Sequence, residues 1–150
     1  MIYFAGIGSR QTPSIVLSQM SKIAFELAVK GYILRSGGAI GADHAFEAGC
    51  DLNKSVKEIF RVKDCTKEAI SLAEQFHPNW GACNEYVKKL HGRNAQIILG
   101  QNLDKPVKFV LCYTTNGKDI GGTGLGIRLA EKYEIPVYNF FHYVPIIENL

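Results

Sequence analysis

Residues 32–43 read YILRSGGAIGAD, a short apolar run that breaks into glycine and then into residues that favour a helix. The same arrangement occurs at residues 2–10, IYFAGIGSR, and at residues 107–126, VKFVLCYTTNGKDIGGTGLG. A continuous apolar run is typical of a strand buried on both faces of a parallel sheet. Glycine after such a strand lets the backbone turn sharply and come close to a ligand. The three stretches therefore predict three strands whose carboxyl ends carry glycine-rich turns.

The rest of the chain continues this alternation of strand and helix. Hydrophobic patterning predicts five strands, at Ile2–Ile7, Tyr32–Arg35, Glu58–Val62, Val107–Tyr113 and Ile135–Phe140. The segments between them predict helices from Pro13 to Gly31, Ala42 to about Cys50, Thr66 to Phe76, Cys83 to Leu99 (as one or two helices), and from the third glycine cluster to about Tyr133. The pattern predicts an α/β fold with a Rossmann-like, doubly wound, mainly parallel five-stranded sheet and helices on both faces.

Length and composition indicate one ordinary globular domain over residues 1–150. The hydrophobic fraction is 47%, and the net charge is only +3. This composition disfavours disorder and lacks the strong basic excess of many nucleic-acid-binding proteins. No apolar run reaches membrane-spanning length and no segment has the pattern of a signal peptide, so we expect a cytoplasmic protein with no membrane partner. The apolar tail after Phe141 is expected to dock on the body or on a second subunit.

The cysteines and histidines give no metal-binding pattern. Four cysteines occur without a CxxC pair, and the histidines do not follow the spacing of known zinc motifs. Reduced thiols are therefore expected, with no disulfide framework and no metal site. The P-loop pattern GxxxxGK[ST] is absent. The third glycine cluster matches the dinucleotide-binding pattern GxGxxG only loosely, and it follows the fourth strand instead of the first. Both features argue against an ordinary NAD domain. No cofactor is predicted.

The glycine turns are the candidate binding site. In open α/β sheets, ligands bind beyond the carboxyl ends of the strands, where the strand order reverses. The predicted ligand-binding residues of the three turns are Gly8, Ser9 and Arg10, then Ser36, Gly37, Gly38 and Asp43, and finally Gly121, Gly122, Thr123 and Gly124. Backbone N–H groups at a helix N-terminus, together with an arginine, are suited to a phosphate. The alternative is that Arg10 is a surface arginine and Ser9 a turn residue.

Further polar residues admit two interpretations each. Asp43 either caps its helix or accepts hydrogen bonds from a ribose, and Glu47 shares its helix face. Arg93 either clamps a phosphate or forms an intramolecular ion pair, and Asn94 beside it is a candidate for reading a base or sugar. Trp80 and Tyr113 are candidate stacking surfaces, although a lone tryptophan is more often part of a core.

These motifs together resemble the SLOG superfamily, which includes the DprA/Smf, LOG and YspA-like proteins. The segment GSR at residues 8–10 resembles the opening motif of the DprA and YspA-like members, and SGGAIGADHA at residues 36–45 resembles their second glycine motif. The segment LHGRNA at residues 90–95 is similar to the LOG MHxRKxxM and YspA-like RN elements, and GGTG at residues 121–124 is similar to the LOG PGGxGT. The resemblance runs from Gly6 to Asn139.

The resemblance implies a nucleotide-binding Rossmann-like domain, frequently a homodimer or higher homo-oligomer. LOG enzymes continue the third motif with a catalytic glutamate, whereas the aligned positions here are Ile127 and Arg128. Hydrolysis would therefore need Asp43, Glu47 or Glu85 in its place. DprA proteins usually carry additional domains around this core, and compact stand-alone members are typical of phage or mobile-element genes.

Three functions follow as hypotheses. The first is binding of a nucleotide or a nucleotide-derived small molecule at the glycine turns. The second is hydrolysis of a nucleoside monophosphate at its N-glycosidic bond, with Arg93, Glu47 and Asp43 as catalytic candidates. The third is binding of single-stranded DNA in the manner of DprA.

Overall fold

The computed structural model describes all 150 residues as a five-stranded parallel sheet flanked by helices. The strands are β1 (Tyr3–Gly8), β2 (Ile33–Ser36), β3 (Lys57–Ile59), β4 (Phe109–Tyr113) and β5 (Val137–Asn139). The helices are α1 (Ser14–Val29), α2 (Ala42–Leu52), α3 (Lys67–Glu74), α4 (Glu85–Leu99) and α5 (Gly121–Lys132). Short 3₁₀ turns occur at Val62–Asp64, Trp80–Ala82, Thr115–Gly117 and Ile147–Asn149. The predicted α/β class is confirmed.

The strand order is β3-β2-β1-β4-β5, and every neighbouring pair is parallel. The chain builds the sheet outward from β1 through β2 and β3, then returns to the other side of β1 for β4 and β5. The order therefore reverses between β1 and β4, which confirms the predicted Rossmann-like topology. Gly8 and Tyr113 are partners at the carboxyl ends of these two strands, so their following loops leave the sheet side by side.

Two hydrophobic clusters lie on opposite faces of the sheet. In β1, Phe4 belongs to one cluster, whereas Ala5 and Ile7 belong to the other. Successive strand residues point to opposite faces, so this alternation requires a cover on both sides. Helices α1 and α2 supply most of the helical residues of the first cluster, and α4 and α5 those of the second. Helix α3 packs on α4 from outside.

Glycine allows helices α1 and α2 of the first layer to come into very close contact. Gly49 of α2 faces α1 so closely that a Cβ atom would overlap the carbonyl oxygen of Ser21. Without a side chain at this position, the two helix backbones approach each other directly. Helix α2, which begins at the second glycine turn, is thereby packed directly against α1.

Several predicted boundaries change in the structure. Strand β3 ends at Ile59, because the chain leaves the sheet before the 3₁₀ turn at Val62–Asp64. The segment predicted as one or two helices forms the single helix α4, in which Gly92 packs against the sulfur of Cys65. Strand β5 is an edge strand, as expected from Pro136 at its start. At the C-terminus, Ile147 packs on the first hydrophobic cluster, so this part of the tail docks on the body.

None of the helices is both long and apolar enough to cross a membrane. The four cysteines are all free thiols, as predicted; Cys50 and Cys112 are buried, while Cys65 and Cys83 are half-buried.

Candidate functional site

A cavity of about 270 Å³ opens beyond the carboxyl ends of β1 and β4. This is the switch point at which doubly wound sheets bind their ligands. The volume lies just below the roughly 300–1,000 Å³ that is typical of small-molecule sites. Its lining is formed by Ile7, Gly8, Ser9, Arg10, Ala39, Asp43, Leu90, Arg93, Asn94, Tyr113, Thr114, Thr115, Ile120, Gly121, Gly122 and Thr123. All three glycine turns contribute to this lining.

Helix α5 begins at the cavity without a protein cap. The backbone N–H groups of Gly121, Gly122 and Thr123 find no acceptor in the protein, and the first intrahelical bond of the turn is from the Gly124 amide to Ile120. No side chain caps this end, and its first turn contains no acidic residue. The partial positive charge of the helix N-terminus is therefore available to an anion.

Arg93 of α4 reaches under the second glycine turn. Its Nη1 donates hydrogen bonds to the carbonyl oxygens of Gly37 at 2.9 Å and Phe60 at 3.3 Å, and its Nε donates to Oδ1 of Asn94 at 2.9 Å. The side chain is 7% exposed and lines the cavity. Its remaining terminal nitrogen, Nη2, forms no hydrogen bond with the protein. Arg93 thus holds the turn in place and still has one donor nitrogen to offer.

Glycine permits this arrangement at two points. A Cβ atom on Gly37 would lie 2.5 Å from Nη1 of Arg93 and 3.0 Å from Oδ2 of Asp43. A Cβ atom on Gly122 would lie 2.5 Å from Nδ2 of Asn94. The neighbouring residues Arg93 and Asn94 therefore join the second and third glycine turns, and each contact requires a residue without a side chain.

Asp43 is the only carboxylate that lines the cavity. Its Oδ2 accepts a hydrogen bond from the backbone N–H of Ala39 at 3.2 Å, so it stabilises the second turn. Burial raises the pKa of Asp43 from its ordinary value of 3.8 to about 6, although the Ala39 amide and the Arg93 guanidinium act in the opposite direction. A carboxyl group with this pKa exchanges a proton near neutral pH, as general acid–base chemistry requires.

The other predicted catalytic carboxylates lie elsewhere. Glu47 is outside the cavity lining and accepts a hydrogen bond from the hydroxyl of Ser36 at 2.6 Å. Glu85, at the first turn of α4, has an 89% exposed side chain. At the positions where the LOG motif carries its glutamate, Ile127 is buried in the core and Arg128 donates to the carbonyl oxygens of Phe76 and Asp119.

The structure therefore brings together nine of the predicted site residues around one cavity: Gly8, Ser9, Arg10, Asp43, Arg93, Asn94, Gly121, Gly122 and Thr123. Ser36, Gly37, Gly38, Glu47 and Gly124 are not in the lining. The stacking candidate Tyr113 lines the cavity, whereas Trp80 does not. Thr114 and Thr115 also line the cavity and were not among the predicted residues, although two consecutive threonines directly after a buried strand are a usable signal. Asn139 of β5 orients Thr114 through a 2.7 Å hydrogen bond.

Outside this lining, the fold gathers three side chains of metal-ligating type, His77, Cys83 and His91. They are separated by six and eight positions along the chain, so the sequence spacing did not group them.

The topology and the cavity at the switch point define a Rossmann-like α/β protein. Among solved structures, the chain is similar to DNA processing protein A from Helicobacter pylori, with a TM-score of 0.62 and 18% identity over 92% of this chain and 64% of that one. It is also similar to the molybdenum cofactor carrier protein of Chlamydomonas reinhardtii, with a TM-score of 0.46 and 14% identity over 92% of this chain and 88% of that one.

No protein-family model matches the chain, and no curated protein matches its sequence. The chain spans less than two thirds of the Helicobacter protein. The likeness to that protein shows a shared fold.

Proposed function

We propose that this protein binds a nucleotide or a nucleotide derivative in the cavity at its switch point. The observation that carries the proposal is the uncapped N-terminus of α5 facing the same cavity as Arg10 and Arg93. Free helix amides and guanidinium groups are the donors that proteins use most for phosphate oxygens. A volume of about 270 Å³ favours a mononucleotide over a dinucleotide.

The lining also suggests how the remainder of such a ligand is held. Tyr113 and Leu90 offer apolar surface for a base, since aromatic faces stack on every base. Asp43 is an acceptor for ribose hydroxyl groups. The phosphate is assigned to the α5 amides and to Arg10, which is exposed and free to close over it.

Isothermal titration calorimetry against mononucleotides, cyclic nucleotides and ADP-ribose derivatives tests this proposal. The variant Arg10→Gln is expected to weaken binding by roughly tenfold, because a hydrogen bond to a charged group is worth ~1.5–3 kcal/mol. Arg61→Gln is the matched control, since Arg61 is an exposed arginine beside the second turn that does not line the cavity. Absence of binding across the panel, or equal losses in both variants, would contradict the proposal.

Hydrolysis of a nucleoside monophosphate is a second candidate, favoured by the position of Asp43. In this reaction water attacks C1′ of the ribose, the N-glycosidic bond breaks, and the base leaves with a proton. Asp43 would accept the proton of the water and stabilise positive charge on the sugar. Release of free base, measured by chromatography, is expected to fall ~10²- to 10⁴-fold in Asp43→Asn. Hydrolysis that persists at the wild-type rate in this variant would remove Asp43 from the mechanism.

Single-stranded DNA is a third candidate ligand, because the structurally similar DNA processing protein A binds single-stranded DNA. Fluorescence anisotropy with a labelled oligonucleotide at increasing salt separates the hypotheses. DNA binding through several phosphates loses affinity steeply with salt, whereas binding of one mononucleotide changes much less. The net charge of +3 favours the small ligand.

We also propose that the chain is a member of the SLOG superfamily. The proposal is supported by the order and position of the motifs, since the GSR, GGAIGAD, RN and GGTG segments all fall at one edge of the sheet. The similarity in fold to DNA processing protein A is consistent with it.

A further inference from the structure

The segment between α3 and α4 folds back on α4 and brings two histidines and a cysteine together. The Nε2 atom of His77 lies 3.6 Å from the sulfur of Cys83, and the ring centroids of His77 and His91 are 4.6 Å apart. One potential ligand atom from each of the three residues lies within 4.8 Å of the other two. None of the three residues lines the nucleotide cavity.

His91 is the unexplained member of this cluster. It is 3% exposed, and its Nδ1 atom is the only buried side-chain nitrogen or oxygen in the protein without a hydrogen-bond partner. Such atoms are rare in folded proteins, and each one calls for an explanation such as an ion or a water molecule. Burial also lowers the pKa of His91 to about 4, with smaller contributions from His77 and Arg128.

We propose that His77, Cys83 and His91 form a site for a divalent metal ion of the zinc type. Imidazole and thiolate are the ligands that zinc prefers, with bonds of ~2.0–2.1 Å to nitrogen and ~2.3 Å to sulfur. In a tetrahedral complex these bond lengths place nitrogen and sulfur ~3.6 Å apart. This is the distance already present between His77 and Cys83. The largest distance between any two of the three ligand atoms is at most 4.8 Å, and it has to shorten by roughly 1 Å when a metal binds. The segment that carries His77 and Cys83 can make this movement because it is only half-buried.

Metal binding requires a defined movement of protons. In the metal-free protein, Nδ1 of His77 accepts a hydrogen bond from the backbone N–H of Asn79, so Nε2 carries the proton and points it at the sulfur of Cys83. Binding moves that proton to Nδ1 and breaks the bond with Asn79. The thiol of Cys83 loses its proton to solvent as the metal–sulfur bond forms. One proton is therefore released for each metal ion bound.

The site would link the segment between α3 and α4 to helix α4, which carries the cavity-lining residues Arg93 and Asn94. His91 lies two positions before Arg93 on α4, and Leu90 next to it lines the cavity. Three protein ligands leave a fourth position for water. The proposed role is to hold the segment at residues 77–83 against α4. It does not depend on whether the neighbouring cavity binds a nucleotide.

The test uses the full-length protein after treatment with a chelator. Titration with zinc chloride is expected to show one ion bound per chain. The temperature of unfolding should rise by roughly 5–10 °C when free zinc exceeds the dissociation constant about 100-fold. Cobalt(II) in place of zinc is expected to give a thiolate-to-metal charge-transfer band in the near ultraviolet. That band reports sulfur ligation directly in the wild-type protein, without any variant.

Variants assign the ligands. Cys83→Ser and His77→Asn are both substitutions at half-buried positions. Loss of a residue that only hydrogen-bonds to a metal ligand lowers metal affinity by roughly 10–100-fold, and loss of a ligand itself should lower zinc affinity by more than this. Cys65→Ser and His142→Asn are the matched controls outside the cluster and should retain full affinity. The proposal is overturned if wild-type protein shows no saturable zinc binding, if cobalt gives no charge-transfer band, or if Cys83→Ser binds zinc as tightly as wild type.

Discussion

Replacing Asp43 by asparagine should stabilise the protein at neutral and alkaline pH. Asp43 is 6% exposed, and burial raises its pKa from 3.8 to about 6. The folded state therefore favours the neutral carboxyl group, and folding becomes less favourable as the pH rises from the unfolded pKa through the folded one. Asparagine has nearly the same shape, remains neutral, and can still accept the hydrogen bond from Ala39.

The magnitude follows from the difference between the two pKa values. Each tenfold change in proton affinity corresponds to ~1.4 kcal/mol, so Asp43→Asn should gain ~3 kcal/mol in free energy of unfolding at pH 8. At pH 5 the carboxyl group is mostly protonated in the folded state, and the gain should fall to ~1.5 kcal/mol. The attraction to Arg93 is already contained in these values, because it contributes to the pKa of Asp43.

Urea unfolding of both proteins at pH 5 and pH 8 measures this effect. Asp51→Asn is the control, because Asp51 lies on the same helix but forms an exposed ion pair with Lys57. Its removal should destabilise by less than ~1 kcal/mol. If Asp43→Asn is less stable than wild type at pH 8, or if its gain does not depend on pH, the reasoning about this carboxylate is refuted. The predicted result would mean that the chain retains a destabilising carboxylate, as functional sites commonly do.

Three further predictions concern packing, the binding cavity and assembly. Gly49→Ala should lower the free energy of unfolding by ~1–3 kcal/mol in urea titrations, because the added Cβ would overlap the backbone of Ser21. Gly81→Ala is the control and should have little effect, because there is open space around Gly81. Gly122→Ala should weaken nucleotide binding by roughly tenfold or more in calorimetry, because the added Cβ would displace the side chain of Asn94. An unchanged affinity would contradict the position assigned to Asn94 in the cavity. Light scattering should give a mass of at least twice 16.6 kDa, because the family resemblance implies a homo-oligomer, and a mass of 16.6 kDa would contradict this assembly.

The fold could be predicted because its signals are local. The three central strands β2, β1 and β4 are short apolar runs, and glycine or proline separates each of them from the next helix. The predicted strand ends were less accurate: the sequence extended β3 to Val62, whereas the strand ends at Ile59 and a 3₁₀ turn begins at Val62. The sequence also did not decide whether α4 is one helix or two, because glycine at position 92 disfavours a helix by propensity. In the structure the helix continues through Gly92, which packs against Cys65.

The site was predictable only in part. The glycine turns lie where the sequence placed them, because strand order fixes which loops meet at the switch point. The contacts of Arg93 with Gly37 and Phe60 join residues 56 and 33 positions apart, and no local pattern encodes them. The position of Glu47 outside the cavity likewise depends on the rotation of α2 against the sheet. The cluster of His77, Cys83 and His91 could not be predicted from local sequence, because it forms only when the segment between α3 and α4 folds back on α4.

The most direct test of the central claim compares a 5′-mononucleotide with the matching nucleoside in calorimetry on the wild-type protein. If the α5 N-terminus and Arg10 hold a phosphate, the mononucleotide binds with one site per chain and the nucleoside binds at least roughly tenfold more weakly. Equal affinity for the two compounds, or no binding of either, would contradict the assignment of this cavity to a phosphate-bearing ligand.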